Sequence, residues 1–151
     1  MTIYQETGNK GEQAVKKYCV CPKCNEGKLK ILPPNFKCAD VICDFCGFLA
    51  QVKARNVKKR KQEMERLLGA AWEPQKKRME AGIIFPLFVV DILKGHPVEI
   101  HYLNRKSQEN VEGLYVPRKP LSETARRAGW QGFYYDLSKI QDRIKTVWES
   151  K

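Results

Sequence analysis

The sequence predicts a mixed α/β protein in which helices flank a central β-sheet and a pair of cysteine knuckles is inserted near the N-terminal end. Three observations support this fold class. Helical and extended patterns alternate along the chain, one long run is apolar on both faces, and four cysteines form two Cys-x-x-Cys pairs. The 151 residues, 42% of them hydrophobic, suffice for one core without disulfide bonds. We therefore expect a single domain over residues 1–151, with the knuckles at about 19–47.

The N-terminal part predicts one helix followed by extended segments. Apolar residues recur at helical spacing over residues 12–18 and predict a short helix. Pro33 and Pro34 exclude a helix and mark a loop. The segments CADVIC at 38–43 and FLAQVKA at 48–54 follow as predicted strands.

The C-terminal part predicts two further helices around a buried strand. Residues 58–79 are charged, with apolar residues at helical spacing, and predict a helix that Pro74 kinks or ends. Its first part, residues 58–68, is the clearest predicted helix. The run IIFPLFVVDIL at 83–93 is apolar on both faces, as in a strand covered on both sides. The segments at 97–103 and 111–116 are predicted strands, and 137–150 is predicted to be an amphipathic closing helix.

The charge balance favours a polyanionic partner. Lys and Arg outnumber Asp and Glu by 28 to 17, and the formal net charge is +11. Nucleic acid is the leading candidate, and a merely soluble basic surface is the alternative. The basic clusters KARNVKKRKQ and TARRAGWQGF have their own alternatives, a solvated helix start and a structural corner. The predicted nucleic-acid contacts are Arg55, Lys58, Lys59, Arg60, Lys61, Arg126 and Arg127.

The N-terminus and the longest apolar run lead us to expect a cytoplasmic protein with no membrane partner. The segment MTIYQETGNKG is polar and contains no apolar signal. The longest apolar run is interrupted by Pro86 and Asp91, which argues against a membrane span.

The paired cysteines predict a structural zinc site. Cys21 and Cys24, and then Cys43 and Cys46, form two knuckles whose four thiolates can surround Zn²⁺ tetrahedrally. Four sulfurs leave no open position for substrate, so the metal is predicted to be structural. Reduced free thiols, a redox pair and an iron site are the alternatives. Cys19 is predicted to be a buried thiol outside the site.

The second knuckle also suggests how a set of polar residues converges. If it forms the turn between two antiparallel strands, residues whose numbers sum to about 89 to 91 face each other, which places Asp40 opposite residues 49–51. Alternation along the strand puts Gln51, Lys53 and Arg55 on one face and small apolar residues on the other. Asp40, Gln51 and Lys53 are thus predicted to lie together.

This arrangement resembles that of the PD-(D/E)XK nucleases. In that superfamily, the first two side chains and the main-chain carbonyl between them hold Mg²⁺, and the lysine helps to orient and activate the attacking water. The resemblance implies that Asp40, Gln51 and the Val52 carbonyl bind Mg²⁺ and that Lys53 is catalytic. Glu12 is implied as an additional acid from the first helix. Phosphodiester cleavage requires such a set, because a hard cation on oxygen ligands must offset the phosphate charge.

A more specific resemblance covers residues 8–142. The segment ADVICDFCGFLAQVK at 39–53 is similar to the catalytic segment of the methyladenine-dependent restriction endonucleases that cut methylated GATC sites. CPKCNEGKL at 21–29 resembles their first knuckle, and RKPLSETARRAGWQGFYYDLSKI at 118–140 their most distinctive run. The resemblance implies a restriction-endonuclease-like fold, structural Zn²⁺, and Mg²⁺-dependent hydrolysis of double-stranded DNA.

Two departures from that family qualify the expectation. Gln51 stands where the family has Glu, which removes a negative charge from the metal site. The chain ends at Lys151, so we expect no C-terminal winged-helix domain.

Whether the DNA must be adenine-methylated and whether the protein acts as a homodimer are left open. The alternative function is a non-catalytic zinc-ribbon DNA-binding protein with a degenerate nuclease site.

Overall fold

The computed structural model describes residues 2–36 and 39–151. Within them, six strands form one sheet in the order β1-β2-β3-β5-β6-β9, and three form a second sheet in the order β4-β8-β7. Only β3 and β5 pair in parallel, so the large sheet is mixed and the predicted α/β fold class is confirmed. The elements are α1 (Ile3–Tyr18), β1 (Leu29–Ile31), β2 (Val41–Cys43), β3 (Leu49–Val57), β4 (Arg66–Ala71), α2 (Trp72–Glu80), β5 (Leu87–Leu93), β6 (His96–Leu103), α3 (Arg105–Gln108), β7 (Tyr115–Pro117), β8 (Gly132–Asp136), a 3-10 helix (Leu137–Arg143) and β9 (Lys145–Glu149).

The chain divides into two compact units, each built from separated segments. The first unit contains α1 and the six-stranded sheet and comprises Met1–Gln62, Phe85–Arg105 and Ile144–Lys151. The second contains α2 and the three-stranded sheet and comprises Glu63–Ile84 and Lys106–Arg143. Among the helices that the structure describes, none has the length and apolar composition needed to span a bilayer.

Helix α1 starts earlier than its apolar spacing predicts because a capping box nucleates it. The Thr2 hydroxyl accepts a hydrogen bond from the Gln5 N–H at 3.2 Å, and the Gln5 side chain accepts one from the Thr2 N–H at 2.9 Å. Gly11 lets the helix approach the sheet closely, since a Cβ there would lie 2.9 Å from that of Ala54. The helix thereby covers the apolar face of β3.

The core of the first unit lies between α1 and the sheet. Strand β5 is buried along its length except at Leu93, as its apolar pattern predicts. Val15 of α1, Val52 of β3, Phe88 of β5 and Ile100 of β6 belong to one buried cluster. The predicted strands at 48–54, 83–93 and 97–103 correspond to β3, β5 and β6, and that at 38–43 to β2, although Cys38 lies outside the described residues.

The helix predicted over residues 58–79 is wrong in its first part, 58–71, whereas its last part corresponds to α2. The chain turns after β3 and then forms β4, which pairs with β8, a strand that the sequence analysis did not predict. Along β4, Leu67 is buried, whereas Arg66 and Leu68 are exposed. This two-residue alternation, imposed by pairing with β8, overrides the helical spacing of the apolar residues. Helix α2 begins only at Trp72, with Pro74 in its first turn, where proline is tolerated.

The predicted closing helix over 137–150 is also wrong. Its first half is a 3-10 helix whose Leu137 and Ile140 are buried in the second unit. Its second half is β9, which pairs with β6 in the first unit and stacks Trp148 on Tyr18 at a ring-centroid distance of 4.0 Å. The apolar residues that suggested one amphipathic helix face therefore belong to two different units of the chain.

A buried ion pair joins the central strands of the first unit. Asp91 on β5 is fully buried, and its carboxylate accepts hydrogen bonds from Arg55 Nε at 2.7 Å and Nη2 at 3.1 Å. His101 Nε2 lies 3.0 Å from the same carboxylate. Burial by itself would raise the pKa of Asp91, but the hydrogen bonds and charges of His101 and Arg55 outweigh it and lower the pKa.

We expect Asp91→Asn to lower the free energy of unfolding by about 3–5 kcal/mol at pH 7, because the variant removes the buried carboxylate that accepts two hydrogen bonds from the Arg55 guanidinium. Since the folded pKa of Asp91 lies below 3.8, this contribution is present above that pH and lost as the pH falls through the folded value. Denaturant unfolding at several pH values measures it. The exposed control Asp142→Asn should change stability by no more than about 0.5 kcal/mol; an equal effect of both variants would contradict the assignment.

Candidate active site and metal centre

The four predicted zinc ligands converge in the structure. The Sγ atoms of Cys21 and Cys46 lie 3.6 Å apart, and those of Cys24 and Cys43 lie 3.8 Å apart. All four lie within 4.8 Å of one another. A tetrahedron with zinc–sulfur bonds of about 2.3 Å has edges of about 3.8 Å. The cysteine cluster therefore fits Zn²⁺ in a closed, structural site.

Local hydrogen bonding shapes each knuckle around its sulfur atoms. The Gly27 N–H donates to Cys24 Sγ at 3.3 Å, and the Cys46 N–H donates to Cys43 Sγ at 3.4 Å. A Cβ at residue 27 would overlap Cys43 Sγ, so only glycine fits between the knuckles. Such amide donors stabilise thiolates, the form that binds metal.

The thiols of the cluster differ in acidity. Hydrogen bonds from the Glu26 and Gly27 backbone lower the pKa of Cys24 to about 7, whereas burial raises that of Cys21 to about 12. Cys19, predicted to be a buried thiol, is partly buried and packs against the core outside the cluster, and burial raises its pKa to about 11.

The second knuckle forms the predicted turn between β2 and β3. Val41 pairs with Ala50 and Ile42 with Leu49, so paired residue numbers sum to 91, as expected. The Asp40 N–H donates to the Ala50 carbonyl at 2.9 Å and extends the ladder by one residue. The predicted register is confirmed, and Asp40 lies beside the Gln51 end of β3.

Asp40, Lys53 and Glu12 form a charged cluster at this end of β3. Asp40 Oδ2 accepts a hydrogen bond from the Val52 N–H at 2.8 Å, which fixes the carboxylate against the strand. Burial lowers the pKa of Lys53, and the nearby charges of Asp40 and Glu12 oppose that effect. Burial and the charge of Asp40 raise the pKa of Glu12, while Lys53 opposes the rise. Asp40 thus lies close enough to Lys53 and Glu12 to act on the pKa of both.

Three elements position this cluster. Asp40 immediately precedes β2, Lys53 lies on β3 with Gln51 two residues before it, and Glu12 lies on α1. Glu12 follows Gly11, whose close approach to β3 brings the helix next to the strand. Gln51 is partly buried, and its N–H donates to the Pro86 carbonyl at 2.9 Å. Helix α1, the β2–β3 hairpin and the parallel pair of β3 with β5 together position the residues of the candidate site.

The predicted nucleic-acid contacts fall into three places. Lys58, Lys59, Arg60 and Lys61 are exposed in the turn that follows β3 in the first unit. In the second unit, Arg126 and Arg127 are both exposed, and the Arg127 guanidinium lies 4.6 Å from the centre of the partly buried Trp130 ring. Arg55 lies in the interior, with 12% of its side chain exposed, and is paired with Asp91.

Sequence reasoning missed a second buried polar cluster formed by Asp91, Glu99 and His101. In the sequence analysis, Glu99 and His101 receive no role, and Asp91 is treated only as an interruption of the apolar run. The signal was present in the sequence: a single aspartate interrupts an otherwise apolar strand, and the glutamate and histidine have the two-residue spacing of one strand face. Asp91 and Glu99 pair directly across β5 and β6.

A comparison with known protein families identifies the family of the chain. The chain matches the model of the DpnI, Dam-replacing family over residues 5–150. The chain belongs to the DpnI family. The matched residues contain both knuckles, the segment from Asp40 to Lys53 and the run at 118–140, so the predicted family is confirmed. Membership of the DpnI family indicates a restriction-type nuclease and implies DNA as its substrate.

Proposed function

We propose that this protein is a Mg²⁺-dependent endonuclease that hydrolyses phosphodiester bonds in double-stranded DNA at the Asp40 site. The observation that carries the proposal is the clustering of Asp40, Lys53 and Glu12 where the β2–β3 hairpin meets α1, in a member of the DpnI family. Asp40, Gln51 and the Val52 carbonyl are the proposed ligands. The zinc centre is proposed to hold the hairpin without entering the chemistry.

The donor set fits a hard divalent cation. The proposed ligands offer the carboxylate, amide and carbonyl oxygens that Mg²⁺ prefers. Two carboxylates, Asp40 and Glu12, face one ammonium group, Lys53, so the ionised cluster carries a net charge of −1. Burial first, and then the negative charge of Asp40, raise the pKa of Glu12, so a negative charge on Glu12 is costly at this position. A bound cation would offset that charge.

The chain's own residues supply positioning and electrostatic stabilisation. Asp40, held by the Val52 N–H, keeps a fixed orientation at the hairpin. Lys53 is buried enough to lower its pKa and lies near the two acids, where it would hold the attacking water by a hydrogen bond and stabilise charge on the phosphate. A divalent cation at the site would offset the charge that builds up on the phosphate during cleavage.

The preferred substrate is proposed to be adenine-methylated DNA. Family membership and the sequence run at 118–140 support this choice. The exposed residues Lys58, Lys59, Arg60, Lys61, Arg126 and Arg127 are proposed to contact backbone phosphates, which fix the position of a duplex without reading its sequence. Arg55 is left out of this set because its guanidinium is bound to Asp91.

A metal titration of plasmid cleavage tests the proposal through Gln51. We expect Gln51→Glu to lower the Mg²⁺ concentration for half-maximal cleavage about tenfold, equivalent to about 1.4 kcal/mol, because a carboxylate adds a charge at the proposed ligand position. Gln141→Glu adds the same charge in the second unit and serves as the control. An unchanged metal requirement in Gln51→Glu would remove Gln51 from the ligand set.

The second candidate function is a DNA-binding protein without cleavage. The observation that favours it is Gln51 itself, which lacks the charge of the acid found in the family at this position. In that case, DNA binding would persist while cleavage would be absent at every Mg²⁺ or Mn²⁺ concentration. Recovery of cleavage in Gln51→Glu alone would identify the amide as the cause.

A further inference from the structure

The basic turn, residues Lys58–Gln62, carries four consecutive exposed cationic side chains directly after β3. Among the residues that the structure describes, no carboxylate lies within ion-pair distance of these four. Arg60 donates instead to the carbonyl and hydroxyl oxygens of Ser150, which carry no charge. Four adjacent positive charges repel one another, and a polyanion would relieve that repulsion.

The backbone of the basic turn is held by hydrogen bonds although its side chains face solvent. Lys61 has a φ of +56°, a left-handed conformation that lysine rarely adopts. Its N–H donates to Glu99 Oε1 at 2.6 Å. The Gln62 carbonyl accepts from Arg55 Nη2 at 2.8 Å, and the Gln62 side chain accepts from the Lys58 N–H at 2.9 Å. The surroundings thus impose a strained conformation on the turn.

The groups that hold the basic turn belong to the buried network of Asp91, Glu99, His101 and Arg55. Glu99 is 2% exposed, and it pairs across the strands with fully buried Asp91. Two buried carboxylates this close need hydrogen-bond donors to offset the cost of their burial. Arg55 and His101 contact Asp91, and the Lys61 N–H donates to Glu99. The basic turn therefore supplies a hydrogen-bond donor to the buried network, and the network in turn fixes the backbone of the basic turn.

We infer that Glu99 is a positioning residue that preforms the basic turn as a binding segment for the backbone phosphates of a DNA duplex. The inference rests on DNA as the substrate of the proposed function, but not on cleavage. Strain in a segment that carries binding groups is characteristic of functional preorganisation. A turn already ordered loses less conformational entropy on binding, so its charges contribute more to affinity.

The test measures binding of a fluorescent duplex in EDTA as a function of salt. Each phosphate contact contributes about 0.9 to the slope of log K against log salt. We expect Glu99→Ala to reduce the slope by about 1 to 2 and to weaken binding about tenfold at low salt. Glu99→Gln retains an oxygen acceptor for the Lys61 N–H and should restore most of the slope. Gln62→Ala loosens the basic turn outside the buried network and should also reduce the slope.

A double-mutant cycle separates positioning from a general effect on the fold. In a Lys58→Ala/Lys59→Ala/Arg60→Ala/Lys61→Ala background, Glu99→Ala should cause no further loss of slope, because the charges through which it acts are gone. An equal loss in both backgrounds would overturn the inference. If Glu99→Ala does not fold, an unchanged slope in Gln62→Ala would overturn it.

The same assay distinguishes failure of this inference from failure of the nuclease proposal. A wild-type protein that binds with a turn-dependent slope but does not cleave supports the inference and contradicts the nuclease. Cleavage by a protein whose slope is unchanged by substitutions in the basic turn supports the nuclease and contradicts the inference. Absence of salt-dependent binding overturns the inference, whatever the result of the cleavage assay.

Discussion

Replacement of Asp40 with asparagine is expected to slow DNA cleavage about a thousandfold, equivalent to about 4 kcal/mol of transition-state stabilisation. Asparagine retains an oxygen that can accept the hydrogen bond from the Val52 N–H, so the hairpin should keep its register. What it loses is the charge that the proposed cation site requires. Single-turnover cleavage of a plasmid, with enzyme in excess, measures the chemical step.

Lys53→Ala is expected to cause a loss of similar size with little change in DNA affinity, because the partly buried ammonium group is proposed to act in the transition state. Lys139→Ala removes an exposed lysine in the second unit and is the matched control. Retention of wild-type cleavage by either Asp40→Asn or Lys53→Ala would contradict the proposed site. An equal loss of binding and cleavage would show that the residue acts on affinity instead.

Cys43→Ser is expected to abolish zinc binding and to unfold the first unit. Cys43 is buried in the same hydrophobic cluster as Val52 and Phe88, so the metal site and the core are continuous. Structural zinc sites have apparent binding free energies of about 10–16 kcal/mol, whereas whole domains are stable by only about 5–15 kcal/mol. Loss of the metal can therefore remove the entire stability of the unit.

Zinc content and thermal unfolding test this expectation together. Wild type should release one zinc ion per chain on denaturation and should lose its cooperative transition when a strong chelator is present. Cys19→Ser, outside the cluster, should retain both the zinc and the transition. Gly27→Ala should also lose zinc, because its Cβ would overlap Cys43 Sγ. A stable Cys43→Ser protein, or wild type without zinc, would contradict a structural metal.

The parts of the site that sequence could predict are those governed by local geometry. The knuckle defines a turn, a turn defines a register, and strand alternation then assigns faces, so the position of Asp40 beside β3 followed from a few residues. The same logic identified β5 from its apolar pattern on both faces. Each of these inferences spans fewer than about 20 residues and needs no knowledge of the wider topology.

The parts that sequence could not predict depend on distant pairing. Residues 66–71 have helical spacing but pair with β8, which lies far along the chain. Apolar residues at 137–150 suggested one helix face but serve two different units. The buried contact between Arg55 and Asp91 arises because β3 and β5 are parallel, a relation that no local pattern contains. Tertiary context overrides propensity at these positions.

Cleavage of two otherwise identical plasmids, one adenine-methylated and one unmethylated, tests the central claim most directly. Wild type and Asp40→Asn are compared in Mg²⁺ and in EDTA. The proposed function predicts Mg²⁺-dependent cutting of the methylated plasmid by wild type and none by Asp40→Asn or in EDTA. Cutting that survives EDTA or the Asp40 substitution, or no cutting of either plasmid with DNA binding retained, would contradict a metal-dependent nuclease at this site.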